Sequence, residues 1–193
     1  MSRLRIQQRT RIYLGCEGQS EQSYGARLSQ IAEAAGLHLH IDNDVLQPGS
    51  GDPLALVQSA IRRIKEREPK RGDFAFRAIL LDRDRWGVAP ERDAQIGQLS
   101  RQNRLHLIWQ EPCHEGLLLR HLEGQQTARP MTSDLAAQAL KAVWAEYEKP
   151  MPAAHLATRI DLQAVRRASL VETALAAFLD QIGLVPCITH NFG

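Results

Sequence analysis

Four times along its first two-thirds, this chain sets a short apolar run ahead of a longer stretch with helical spacing, and that alternation leaves few folds open. Residues 11–17 read as a buried strand. Ser20 is then placed to cap a helix whose apolar face is Tyr24, Leu28, Ile31 and Ala35, stopped by Gly36. His38–Ile41 alternates as a short second strand and leads into the turn-rich segment Gln47–Gly51. Asp52-Pro53 starts the next helix, with proline at its first position, and Leu54, Val57, Ile61 and Ile64 share one face until Pro69 ends the pattern. Phe74–Leu81 is a third strand, and its near-continuous apolarity implies burial on both faces. After the loop Asp82–Gly87 come a weakly amphipathic helix over Pro90–Asn103, a fourth strand over Leu105–Trp109 and a fourth helix over Cys113–Leu122. Such alternation specifies a parallel sheet with right-handed crossovers.

From Gln125 onward the strand signals fade. Ser133–Tyr147 is expected to be helical, with Ala136, Leu140, Val143 and Tyr147 on one face. Asp161–Ile182 reads as one longer helix, carrying Val165, Ala168, Val171, Leu175, Phe178 and Ile182 and closed by Gly183. Pro150-Met151-Pro152 interrupts the two. The expected class is α/β: a core over residues 1–124 with a mostly parallel four-stranded sheet, and a helical extension over residues 125–193 packed on it as one compact unit.

Composition restricts the setting. No stretch approaches the length needed to cross a bilayer, and the N-terminal Arg3, Arg5, Arg9 and Arg11 have no signal-like apolar segment behind them. No membrane and a reduced, cytoplasmic compartment are the expectation. Cys16, Cys113 and Cys187 are odd in number and irregular in spacing, which argues against a disulfide framework, and no C-x-x-C pair suggests zinc. Cys187 and His190 alone are too few for a metal site. The net charge is only +2, but the basic excess lies before residue 105, in the half that holds the acidic motifs. That suits a metal site approached by a polyanion, though arginines on solvated helix faces give the same balance.

Those motifs are carboxylates at strand ends. Ile12–Glu21 reads I-Y-L-G-C-E-G-Q-S-E, an apolar run ending in Glu17-Gly18 with a second acid at Glu21. Leu80–Asp84 reads L-L-D-R-D and ends in Asp82 and Asp84. In an open parallel sheet the carboxyl edge of the strands is where ligands bind. Residues two apart in extended backbone point to one side, so Asp82 and Asp84 can reach one point, where their repulsion calls for a cation or a shared proton. Oxygen-only ligands suit Mg²⁺ or Mn²⁺. A plainer reading makes Glu17 an acid that complements the dipole of the following helix. A third element, Glu111-Pro112-Cys113-His114-Glu115, begins where the fourth strand ends, with Pro112 placed to start a helix and Glu115 in its first turn. Dipole complementation serves Glu115 as well as a metal role does. For His114 and His121, ordinary hydrogen bonding is the plainer reading.

Taken in order, C-E-G-x-S-E, an apolar strand ending D-R-D, then P-C-x-E followed by L-L-L-x-H resemble the RloB family of Toprim-like proteins. Tyr147-Glu148-Lys149 is similar to that family's tyrosine-and-lysine segment, so the likeness spans roughly residues 10 to 180. The resemblance implies a Toprim-like (Rossmann-like) core. Glu17 then matches the glutamate that binds metal or acts as general acid/base, Asp82 and Asp84 the metal-binding D-x-D, and Glu21 and Glu115 further family acids. Lys149 matches a catalytic lysine that steadies charge on phosphate. The chain departs from the family at His114 and at Gly116 or Leu117, where aromatics are common, and at Leu122, where phenylalanine is.

The function expected on these grounds is metal-dependent phosphodiester hydrolysis of DNA or RNA. Mg²⁺ or Mn²⁺ would be held by Glu17, Asp82 and Asp84, a second ion by Glu21 or Glu115, and the phosphate guided by Arg83, Arg85 and Lys149. Arg83 and Arg85 read equally well as solvated loop charges. The resemblance further implies a partner ATPase of the AAA or ABC type and a part in anti-phage defence. The rival expectation is a non-catalytic nucleic-acid or nucleotide-binding subunit. A phosphotransferase using Asp82 as nucleophile fits less well, because Glu17 occupies the early strand end where that class puts its D-x-D.

Overall fold

The computed structural model describes residues 9–46 and 51–186. Arg3, Arg5, Cys187, His190 and most of the Gln47–Gly51 turn lie outside them. Strands and helices alternate as β1 (Thr10–Cys16), α1 (Gln19–Ala34), β2 (Leu39–Val45), α2 (Pro53–Arg71), β3 (Phe76–Asp82), α3 (Pro90–Gln102), β4 (His106–Gln110) and α4 (His114–His121). Four more helices follow: α5 (Ser133–Val143), α6 (Ala153–Leu156), α7 (Leu162–Ser169) and α8 (Thr173–Gln181). The four strands pair in parallel throughout, in the order β2-β1-β3-β4, with Ile12 level with both Ile41 and Phe76. The protein is an α/β fold.

Period-two alternation divides the core into two layers. Ile12, Leu14, Cys16, Ala78 and Leu80 face α1, α4 and the C-terminal helices, while Tyr13, Ile79 and Leu81 face α2 and α3. Leu140, Trp144, Tyr147, Leu156, Val165 and Phe178 belong to the same buried cluster as the first strand face. The residues after Gly124 therefore complete a core layer that α1 and α4 leave open. No helix among the described residues is long and apolar enough to cross a membrane.

Several boundaries differ from the sequence expectation. α1 is capped by Gly18, not Ser20, and the Glu21 carboxylate accepts from the Gly18 N–H at 2.9 Å. β2 runs on through Asp42–Val45, because arginines distant in sequence neutralise its acids. α2 continues past Pro69 to Arg71 and is closed by Gly72 at φ +85°. Pro112 precedes the α4 cap, Cys113, and does not begin the helix. Helix α5 stops at Val143, with Trp144 and Tyr147 buried beyond it. The expected long helix over Asp161–Ile182 breaks at Leu170–Glu172 into α7 and α8. The break lets Glu172 pair with Arg120, which is fully buried on α4.

Candidate active site at the carboxyl edge of the sheet

The order β2-β1-β3-β4 contains one reversal. From β1 the chain passes to β2 over one face, and from β3 to β4 over the other, so α1 and α3 diverge between the ends of β1 and β3. That is the topological switch point, where open α/β sheets form their ligand crevice. Glu17 directly follows β1 and Asp82 ends β3. They meet there: Glu17 Oε2 accepts from the Asp82 backbone N–H at 3.4 Å.

The electrostatics around this pair are unbalanced. One oxygen of Asp82, Oδ1, is buried without a hydrogen-bond partner. Burial first, and then the charges of Glu21 and Glu17, push its carboxyl up to about 8; Lys149 opposes them and Asp84 adds a further upward push. Burial also raises Glu17, with Glu21 and Asp84 adding to it, against the Asp82 N–H and Arg85. A carboxyl in that position is satisfied by a proton or by a cation. Asp84 acts on both acids but does not reach them by strand alternation. The extended backbone ends at Asp82, the Arg83 N–H turns in to the carbonyls of Gln110 (3.0 Å) and Pro112 (3.1 Å), and Asp84 lies exposed in the turn that follows.

Glu21 and Glu115 are both buried, and each already has a partner. Glu21 holds the α1 N-terminus through Oε2, and its Oε1 stands 3.8 Å from His114 Nδ1. Glu115 Oε1 receives the Lys149 ammonium at 2.8 Å and the Tyr147 hydroxyl at 3.2 Å, while Oε2 takes the Cys113 thiol at 3.2 Å. Burial alone would raise Glu115, but the ammonium overrides it and holds the carboxyl below its ordinary value. Lys149 in turn is held protonated; burial works against its charge, and Glu115, Glu21 and Asp82 outweigh burial. The dipole reading of Glu115 is therefore incomplete: it also holds Lys149, which acts on Asp82.

Arg83 and Arg85 part ways. The Arg83 guanidinium pairs with Glu111 at 3.3 Å, both half exposed, which is the solvated-loop reading. Arg85 acts on Glu17, and its Cζ and Glu17 Oε1 both lie 3.4 Å from where a Cβ on Gly51 would sit. Arg85 therefore remains at the site and Arg83 turns from it.

Other parts of the site had no clear sequence signal. Gln110, fully buried, contacts His114 Nδ1 at 2.7 Å, and burial lowers the proton affinity of His114. At Gly116 a Cβ would come 2.5 Å from the Glu111 carbonyl, so this backbone leaves no room for a side chain there. Arg120 ties the Glu111 carbonyl (2.8 Å) to Glu172 and braces the loop beneath Glu115. His121 donates from Nδ1 to the Leu117 carbonyl at 2.9 Å, which leaves Nε2 to accept from the Tyr24 hydroxyl at 2.9 Å. It is a satisfied neutral imidazole, pushed down to about 4 chiefly by burial.

Among the described residues, no three His, Cys, Asp or Glu side chains are grouped as ready metal ligands. The acids at the switch point lie within electrostatic reach of one another, and the Lys149 ammonium, paired with Glu115, acts on Glu21 and Asp82. The orphaned Asp82 oxygen and the all-oxygen donors Glu17, Asp82 and Asp84 nevertheless have the chemistry a hard divalent cation takes. Comparison of the chain with protein-family models, curated proteins and solved structures finds no match.

Proposed function

We propose that this chain is a metal-dependent phosphodiesterase of the Toprim type, related to the RloB family, that cuts DNA or RNA with Mg²⁺ or Mn²⁺. The observation that carries the reading is the Asp82 carboxyl, buried at the β1/β3 switch point with one oxygen unpartnered and two further acids beside it. Glu17, Asp82 and Asp84 would hold the ion, which when bound polarises a phosphoryl oxygen. Glu17, whose hold on a proton is tightened by burial, suits proton exchange with the attacking water or the leaving oxygen. Lys149, kept charged by Glu115, offers its ammonium to the charge that develops on phosphate. Tyr147 and Cys113 steady Glu115 and so set where that ammonium sits. Glu21 and Glu115 would have to give up existing partners to bind a second ion, so the reading starts from one. By the same kinship, an AAA- or ABC-type ATPase is the partner, and anti-phage defence in the cytoplasm is the setting.

One observation favours a second reading. With the Lys149 ammonium already paired to Glu115 and acting on Glu21 and Asp82, the same pocket suits a subunit that binds nucleic acid or nucleotide without cutting it. Cleavage assays separate the two. Single- and double-stranded DNA and RNA are offered with Mg²⁺ or Mn²⁺ to wild type and Asp82→Asn, alone and with an ATPase partner. Cleavage that disappears in Asp82→Asn supports the enzyme, and a wild type that binds but never cuts returns the binding subunit.

A further inference from the structure

Beside the switch point a cavity of about 400 Å³ opens between the start of α2 and the loop that enters α3. Pro53, Val88, Ala89 and Ile96 give it apolar walls, and Arg85 and Arg92 also line it. Arg85 joins it to the acids, since the same side chain lines the cavity and acts on Glu17. The outer wall is firmly set. Trp86 packs on Trp109 with ring centroids 4.5 Å apart, the Gly87 N–H donates to Asp93 at 2.9 Å, and Arg92 pairs with Asp52, which also caps α2. Val88, at the rim, nevertheless leaves 79% of its surface in water. An apolar slot with planar cations, one side chain away from a phosphate-handling acid, has the chemistry of a site for a planar, hydrogen-bonding ring.

We infer that this cavity is a nucleobase subsite, taking the base of a nucleotide next to the phosphate at Glu17 and Asp82. It rests on the nuclease reading for the direction of the strand and deepens that reading by naming the substrate class. A base enters such a slot only when unstacked and unpaired, so the substrate is a single strand, a frayed end or a flap, and intact duplex is excluded. Arg85 and Arg92 stack on or donate to the base, Asp52 and Asp93 offer acceptors to its amino groups, and Val88 covers its outer face. The arginines also make binding salt-dependent whatever the sequence.

The test is binding, measured without divalent metal so that no strand is cut. Fluorescein-labelled single-stranded 12-mers of DNA and of RNA are titrated into the full chain by anisotropy, each carrying one abasic residue moved stepwise along the strand. One or two positions should lose affinity about tenfold, the worth of a stacked base, and a matched duplex should bind far more weakly. Ala89→Trp, which fills the slot, and Val88→Asp, at an exposed position that leaves the core untouched, should flatten the abasic profile and weaken the intact strand. Equal loss at every position in the wild type, unchanged binding by both variants, or duplex bound as well as single strand would each overturn the subsite. A position-dependent profile from a chain that never cuts with Mn²⁺ would keep the subsite and defeat the nuclease reading, so the two fail separately.

Discussion

At the edge strand β2, Asp44 is buried and fully answered: Arg63 at 2.6 Å, Arg67 at 2.8 Å and the Tyr13 hydroxyl at 3.1 Å. Its neighbour Asp42 pairs with Arg11 at 2.5 Å and with His40 at 2.9 Å. Two strands away Asp82 ends β3 partly buried, yet the charges around it are carboxylates opposed by Lys149 alone, and one of its oxygens has no partner. The same sheet therefore treats the same side chain in two ways. Where arginines face the acid, a polar strand is stitched to α2 and the fold gains its edge. Where acids face the acid, the fold carries a cost that only a proton or an added cation removes. Unmatched charge, more than the presence of acids, separates a site from a support.

The largest test of that contrast is Asp82→Asn. Metal-dependent cleavage should fall by at least about a hundredfold, as expected on removing a group that holds the charge-stabilising ion. The fold should persist, because the change is nearly isosteric. Mn²⁺ should raise the melting temperature of the wild type, by about 2.7 kcal/mol of added stability at a hundred times Kd, and leave Asp82→Asn unmoved. A variant that still cuts, or that gains the same thermal shift, would erase the distinction between the two strand ends.

Asp44→Ala should do the opposite. It strips Arg63 and Arg67 of their carboxylate; since both guanidinium groups keep about a third of their surface in water, a loss of about 2–3 kcal/mol is expected, below the range for wholly buried pairs. In a chain of this size that lowers the melting temperature by about 5–10 °C. The Mn²⁺ shift, measured below the new midpoint, should remain. Loss of the metal response with little loss of stability would make β2 part of the site and break the comparison from the other side.

A smaller effect lies in the pH dependence of the metal-free protein. Asp82 is held at about 8, above its ordinary 3.8, so its contribution favours the folded state fully below the ordinary value and is lost as pH rises through about 8. Urea unfolding at pH 5 and pH 8 should show the wild type losing stability relative to Asp82→Asn, with the difference removed by saturating Mn²⁺. A pH-independent gap between the two would mean that the carboxyl finds a partner in solution and that the site needs no cation.

How much of this was legible beforehand follows the same line. Apolar runs located three of the strands, alternation marked the start of β2, and the strand–helix repeat implied parallel pairing, because burial on both faces writes itself into Phe76–Leu81 and Ile12–Cys16. Glu17 and Asp82 could be placed at the carboxyl edge for that reason alone. Asp42–Val45 could not be read as strand, since only arginines brought in by α2 and β1 make those acids tolerable. The break between α7 and α8 was hidden because the apolar spacing runs unbroken across it, while its cause, the Arg120–Glu172 pair, joins distant parts of the chain. Likewise, the turn after Asp82 takes Asp84 out of the alternation that D-x-D suggests. Local pattern records burial, and long-range charge pairing leaves no local trace.

Lys149 sets the finest test, because it stands between the two treatments of charge: a cation acting on Asp82, as the arginines act on Asp44, but with 55% of its side chain exposed. If it were a structural partner like Arg63, Lys149→Gln would cost stability in proportion to the buried Glu115 it leaves behind. Tyr147 and Cys113 still hold that carboxylate, however, and an exposed ammonium contributes little through water. The expected loss is therefore under about 1 kcal/mol in urea unfolding. Freed from the ammonium, Glu115 should take up its proton at higher pH than in the wild type, since only the Cys113 thiol and a backbone hydrogen bond then oppose burial. Cleavage should drop about tenfold or more and recover in part in Lys149→Arg, which restores the charge but not its shape. A loss of several kcal/mol with cleavage per folded molecule unchanged would move Lys149 to the supporting side and leave Arg85, which acts on Glu17, as the cation of the switch point.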